Sequence, residues 1–129
     1  MIVADASVLA PFLVDAGPDG RRTRARLRGE RLAGPDLARV ETLSVIRRHL
    51  LHGRLDSARA RDAVEDLSTL PLRDYPTAPL LPRAWELRAN LSAYDACYVA
   101  LAETLGCTLL TSDGRLARAP GTRCTIELV

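Results

Sequence analysis

Short apolar runs that stop at an acid or a turn alternate with longer amphipathic stretches, and this alternation is what most limits the folds open to the chain. Ile2-Val3-Ala4 ends at Asp5, Leu32-Ala33-Gly34 ends at Pro35-Asp36, Leu72 to Tyr75 ends at Pro76, and Thr108 to Thr111 runs out just before Asp113. A last run covers 122–129. Helical patterns fill the gaps. Ser7 is expected to cap a helix through Val8, Leu9, Phe12 and Leu13, with Gly17-Pro18-Asp19-Gly20 as a break after it. Further helices are expected over 21–28, 36–52, 56–69, 79–89 and 93–105, the last closed by Gly106, with a short turn over 113–118. Strands alternating with helices build βαβ units. The expected fold class is therefore α/β: one domain over residues 1–129, with a central, mostly parallel sheet of four to five strands flanked by helices.

Several classes are excluded early. No apolar run has membrane-spanning length, and the N-terminus lacks the basic region of a secretory signal. Cys97, Cys107 and Cys124 are odd in number and have no CxxC spacing, which argues against a disulfide framework or a structural zinc site. A reducing, cytoplasmic setting is expected. All 18 basic residues are arginine, and the formal net charge is only +2. The charge is segregated, however. Twelve arginines fall in 21–61 against only Glu30, Asp36, Glu41 and Asp56, while both flanking segments are net acidic.

Four acids stand where acids are costly. In an open parallel sheet the chemistry sits beyond the carboxyl ends of the strands, and Asp5 and Asp113 follow two such strands. Asp95 lies in the first turn of AYDACYVALAETL, a helix apolar nearly all round and so expected to be buried. Glu41 shares a helix side with Leu37 and Val45. Each has a plain structural reading as well. Asp5 and Asp113 read as cap or turn residues, Asp95 completes a capping box with Ser92, and Glu41 sits at the edge of an apolar face. Glu103, near the end of the same buried helix, is expected to face solvent or pair with an arginine. Gathered in one cleft, four anions would repel strongly unless a cation neutralised them. Oxygen-only ligands suit hard divalent ions such as Mg²⁺ or Mn²⁺, which serve phosphoryl chemistry.

The stretches IVADASVLA (2–10), PDLARVETL (35–43), NLSAYDACYVALAETLG (90–106) and LLTSDGRLA (109–117) resemble the PIN-domain ribonucleases, specifically the VapC-type toxins of bacterial toxin–antitoxin pairs. The resemblance implies a PIN-like α/β domain with Asp5, Glu41, Asp95 and Asp113 as catalytic and metal-binding residues. It implies that Asp5, Asp95 and Asp113 hold the principal ion, with Glu41 direct or through water. Ser7, and Thr111 or Ser112, would assist. It further implies Mg²⁺- or Mn²⁺-dependent cleavage of RNA, homodimerisation, and inhibition by a small antitoxin protein that occupies the cleft. Many relatives carry a further acid where this chain has Gly114 and Arg115.

The run RRTRARLRGER over 21–31, with Arg21, Arg22 and Arg24 at its head, is the expected phosphate-contacting surface, because arginine forks bind phosphate bidentately. A solvated helix face is the other reading of that run. Few aromatics leave base stacking a minor part of recognition. His49 and His52 are the only histidines, in the last turn of their helix, where the dipole favours them. The helices over 36–52 and 56–69 are the expected dimer surface. A second class is a PIN-like module that binds RNA or protein with little or no cleavage. A phosphatase would want D-x-D at the first strand, and this chain has Asp5-Ala6-Ser7 and no lysine.

Overall fold

The computed structural model describes residues 1–129. In chain order the elements are β1 (Ile2–Ala4), α1 (Ala6–Val14), α2 (Pro18–Leu27), β2 (Leu32–Pro35), α3 (Leu37–Leu51), α4 (Ser57–Thr69) and β3 (Leu72–Tyr75). A 3₁₀ turn over Ala78–Leu80 leads into α5 (Leu81–Glu86), followed by α6 (Ala93–Leu105), β4 (Thr108–Thr111), α7 (Gly114–Ala117) and β5 (Ile126–Leu128). The five strands form one sheet in the order β3-β2-β1-β4-β5, and every pairing is parallel. The α/β class and the strand number expected from the sequence are both observed.

The strand order determines where the site can lie. From β1 the chain moves outward to β2 and β3, then returns past β1 to lay down β4 and β5. The direction of winding reverses between β1 and β4, so a crevice opens at their carboxyl ends. Asp5 directly follows β1 and Asp113 lies two residues after β4. α1 packs on α2, α3 and α4, whereas α6 lies on β1, β2 and β4 and is backed by α5.

The core explains which helix faces are inward. α6 buries every residue from Ala96 to Ala102, which fits its all-round apolar pattern. A smaller cluster of Val14, Ile46, Leu55, Ala60, Ala63 and Leu67 joins α1, α3 and α4. No helix is long and apolar enough to cross a membrane.

Several local expectations are corrected. Asp5, not Ser7, is the N-cap of α1, because its carboxylate accepts the Val8 N–H. α2 starts at Pro18, since proline is tolerated where a helix needs no N–H. The elbow before it is tight: a Cβ on Gly20 would lie 1.9 Å from the Asp15 carbonyl oxygen. The helix expected over 79–89 is a 3₁₀ turn and then a short helix ending at Glu86. The last strand is only Ile126–Leu128, because the Arg123 N–H turns away to the Glu103 carboxylate. The capping box at α6 is half formed, with the Ser92 hydroxyl accepting the Asp95 N–H at 3.1 Å.

Glu103 pairs with an arginine rather than facing solvent. Arg83 donates to its two oxygens at 2.8 and 3.1 Å, and Glu103 is only 12% exposed. Burial pushes the Glu103 carboxyl up, but the Arg83 fork and the Arg123 N–H outweigh it and hold the group below the usual carboxylate range. Such a depressed acid adds stability above its unfolded pKa and loses it as pH falls through the folded value. Arg83→Met should therefore cost about 2 kcal/mol at neutral pH, between the exposed and buried extremes for ion pairs. Urea melts should show that loss shrinking as the pH drops below about 4. A loss that does not vary with pH would assign it to packing of the arginine stem.

Candidate active site

Asp5, Ala6, Ser7, Glu41, Ser44, Val45, Arg48, Asp95, Tyr98 and Asp113 line one open cavity of ≈ 370 Å³ at the switch point. All four acids expected from the sequence are thus on the wall of one cavity. They arrive from four elements: Asp5 after β1, Glu41 on α3, Asp95 in the first turn of α6, and Asp113 after β4.

Asp5 is the most constrained. It is buried, and both of its oxygens are acceptors. Ser7 donates to Oδ1 and Thr111 donates to Oδ2, each at 2.5 Å. Each hydroxyl has one proton, so each must in turn accept from elsewhere. Ser7 Oγ accepts the Ser112 N–H at 2.8 Å, and Thr111 Oγ1 accepts the Asp113 N–H at 3.0 Å. These bonds tie the end of β4 to the start of α1 and fix the Asp5 side chain in place. Burial raises its carboxyl above the usual range, and the Ser7, Thr111 and Val8 donors oppose that rise. Of the supporting residues expected, Ser7 and Thr111 reach Asp5 by their hydroxyls, whereas Ser112 contributes its backbone N–H.

The remaining acids sense one another. Burial raises Glu41, the Tyr98 hydroxyl opposes, and Asp95 and Asp5 raise it further. Burial likewise raises Asp95; the Ser92 hydroxyl and Arg115 oppose it, and Asp113 adds to the rise. Asp113 is different. Its Oδ1 accepts the Arg115 N–H at 2.8 Å, and that bond with the Arg115 guanidinium lowers its carboxyl.

Tyr98 was not singled out by the sequence. Its hydroxyl donates to Glu41 Oε2 at 2.6 Å, and its ring is buried. The signal available was its position three residues after Asp95, on one face of α6. Tyr98→Phe should cost about 1–2 kcal/mol, because Glu41 would lose a donor in a half-buried place. Chemical denaturation checks this; an unchanged midpoint would mean that water replaces the hydroxyl.

Arg48 was also missed. Glu41, Ser44, Val45 and Arg48 follow the i, i+3, i+4, i+7 rule and present one face of α3 to the cavity. By contrast, none of Arg21, Arg22 and Arg24 lines it. Arg21 donates to the Ala16 carbonyl, Arg24 to the Phe12 carbonyl, and Arg22 pairs with Asp19. Arg22 does line a neighbouring cavity of ≈ 320 Å³ that shares Ser7 with the acid cavity. His49 and His52 are not among the cavity residues.

No three His, Cys, Asp or Glu side chains form a ready-made ligand cluster. The donor set nevertheless fits a hard divalent ion. It consists of four carboxylates with adjacent hydroxyls, and it holds neither thiolate nor imidazole. Asp95 and Asp5 raise Glu41, and Asp113 raises Asp95; that is the repulsion such an ion would offset.

The all-parallel sheet places a carboxylate-lined cavity at its switch point, where open α/β folds bind their ligands. The PIN-domain model matches residues 2–121, and the chain belongs to the PIN-domain family, in its VapC branch. Ribonuclease VapC9 of Mycobacterium tuberculosis is 43% identical over 129 residues, covering 100% of this chain and 98% of the relative. The structure is similar to Mycobacterium tuberculosis VapC20, described as a Sarcin-Ricin loop cleaving toxin, with a TM-score of 0.70 at 21% identity over 95% of this chain and 97% of that one. It is also similar to a toxin-antitoxin complex from Klebsiella pneumoniae, with a TM-score of 0.63 at 17% identity over 98% and 96% of the two chains. At those identities the two solved structures speak for the fold alone.

Proposed function

We propose that the chain, as one PIN domain over residues 1–129, is the ribonuclease toxin of a toxin–antitoxin pair and hydrolyses RNA phosphodiester bonds at the acid cavity. The observation that carries this reading is the arrival of Asp5, Glu41, Asp95 and Asp113 on one cavity wall at the switch point. The full-length similarity to a VapC ribonuclease supports it. Asp5, Asp95 and Asp113 would hold Mg²⁺ or Mn²⁺, with Glu41 direct or through water. The bound ion would make a water nucleophilic at neutral pH and stabilise charge on the phosphoryl oxygens. The chain itself supplies orientation. Ser7 and Thr111 hold Asp5 in place and oppose the rise that burial gives its carboxyl, Tyr98 holds Glu41, and the Arg115 N–H holds Asp113.

A partner fits elsewhere on the surface. A cavity of ≈ 510 Å³ between α3 and α4 is lined by Leu43, Ile46, Leu50 and Val64, with Arg47 and Arg61 at its rim. That groove lies between the two helices expected to form the dimer, so the partner it suits is a second copy of this chain, whereas the antitoxin is expected to occupy the acid cleft. The similarity to a toxin–antitoxin complex supports an antitoxin partner. The reading includes a cytoplasmic homodimer, checked by sedimentation of the purified chain.

The deciding experiment is cleavage of a labelled RNA hairpin in Mg²⁺ by wild type and by Asp95→Asn. Loss of cleavage in a variant that melts like wild type supports the ribonuclease. Equal cleavage by both would remove the carboxylates from catalysis. RNA binding with no cleavage by either would make the chain a binding module.

A further inference from the structure

We propose that Arg48 and Arg115 are the residues that grip the RNA backbone, one at each end of a trough that crosses the carboxylates; this rests on the ribonuclease reading above. The acid cavity has Arg48 on its wall. A second cavity of ≈ 230 Å³ is lined by Asn90, Ser92, Asp95, Asp113 and Arg115. The two cavities share Asp95 and Asp113. The two cavities therefore adjoin along Asp95 and Asp113, with Arg48 of α3 lining one and Arg115 of α7 lining the other.

The two guanidiniums are available for a ligand. Arg22, Arg26, Arg39, Arg83 and Arg115 take part in salt bridges, and Arg48 is in none of these. The Arg115 side chain is 90% exposed, and its contact with Asp113 is long, at 3.4 Å. Its backbone N–H, not its guanidinium, makes the short bond to Asp113. The α2 arginines differ, since Arg21, Arg22 and Arg24 already spend donors on Ala16, Asp19 and Phe12.

A phosphodiester strand entering a cavity walled by four acids meets repulsion along its whole length. A cation on each side of the acids offsets that repulsion without displacing anything from between them. Arginine suits the task because its planar fork takes two phosphate oxygens at once and stays charged. The geometry therefore orients the strand lengthwise, with one phosphate at Arg48, the scissile group over the acids, and another phosphate at Arg115.

The test uses a fluorescein-labelled RNA hairpin with wild type, Arg48→Gln, Arg115→Gln, the double variant, and a triple variant with Arg21, Arg22 and Arg24 changed to Gln. Binding is followed by anisotropy in EDTA across a salt series, and cleavage is followed in Mg²⁺. Each single change should flatten the slope of log Kd against log salt by about 0.7, the contribution of one phosphate contact on a single strand. Each should also raise KM about tenfold, the effect of losing one charge-assisted contact. Arg48→Lys and Arg115→Lys should restore the slope but only part of the affinity, because a point charge replaces a fork. A double variant with the wild-type slope and KM overturns the proposal, as does loss confined to the triple variant. If Asp95→Asn cleaves like wild type, the ribonuclease reading has failed. If Asp95→Asn is dead and the double variant behaves as wild type, only the trough has failed.

Discussion

Asp5→Asn is expected to leave the chain folded and to lower RNA cleavage by roughly 10³-fold, a typical cost of removing one preorganised charge from a polar active site. The stability half of this prediction follows from the cap. Asn is as good an N-cap as Asp, so the Val8 N–H keeps its acceptor at the start of α1. The side chain keeps its shape inside a packed site. Its charge is a burden on the fold: burial raises the Asp5 carboxyl, so folding makes its ionisation harder than it is in the unfolded chain. A group of that kind takes stability away as pH rises past its unfolded pKa, and an uncharged amide removes this penalty. One bond is lost in exchange, because an amide nitrogen cannot accept from Thr111 as Oδ2 does. The net change in the metal-free protein is expected to lie within about 1 kcal/mol, the size of one hydrogen bond. Thermal melts and hairpin cleavage on one preparation check both halves. A variant that is inactive because it is unfolded would break the first, and a folded variant that cleaves normally would break the second.

The parts of this site that could be read from the sequence are those formed by neighbours along the chain. β1 running into Asp5 and then a helix is a local signal, as are Ser92 at the start of α6 and Gly106 at its end, where the backbone turns left-handed at φ +61°. Even there the cap was displaced by two residues, because Asp5 and Ser7 are both good caps and only the Val8 N–H shows which one serves. The parts that could not be read depend on how distant elements meet. Tyr98 and Glu41 are 57 residues apart and touch only because α3 and α6 converge over the strand ends. The placement of the arginines is of the same kind. A dense arginine run looks like a phosphate surface in one dimension, yet Arg21 bonds to the turn after α1, Arg24 to α1, Arg22 to Asp19 of its own helix and Arg26 to Glu127. Arg48, outside that run, lines the acid cavity because it lies seven residues from Glu41, two helical turns along one face.

Mg²⁺ or Mn²⁺ at about 100 times its dissociation constant should stabilise the chain by about 2.7 kcal/mol, if only the folded form binds. For a domain of this length that is a rise in Tm of roughly 10 °C. The physical source is the cluster itself. Glu41 and Asp95 are each raised first by burial and then by neighbouring carboxylates, so the folded chain carries a repulsion that the unfolded chain does not. A divalent ion converts that repulsion into attraction. Asp95→Ala should abolish most of the rise, because Asp95 belongs to both cavities and interacts with Glu41 and Asp113. The same variant should melt no lower than wild type in EDTA beyond the loss at the helix start, where only the Asp95 backbone N–H bonds to Ser92. Calorimetric titration should show the heat of binding disappear in Asp95→Ala. A full Tm rise in that variant would move the ion away from these four acids, and with it the chemistry assigned to the cavity.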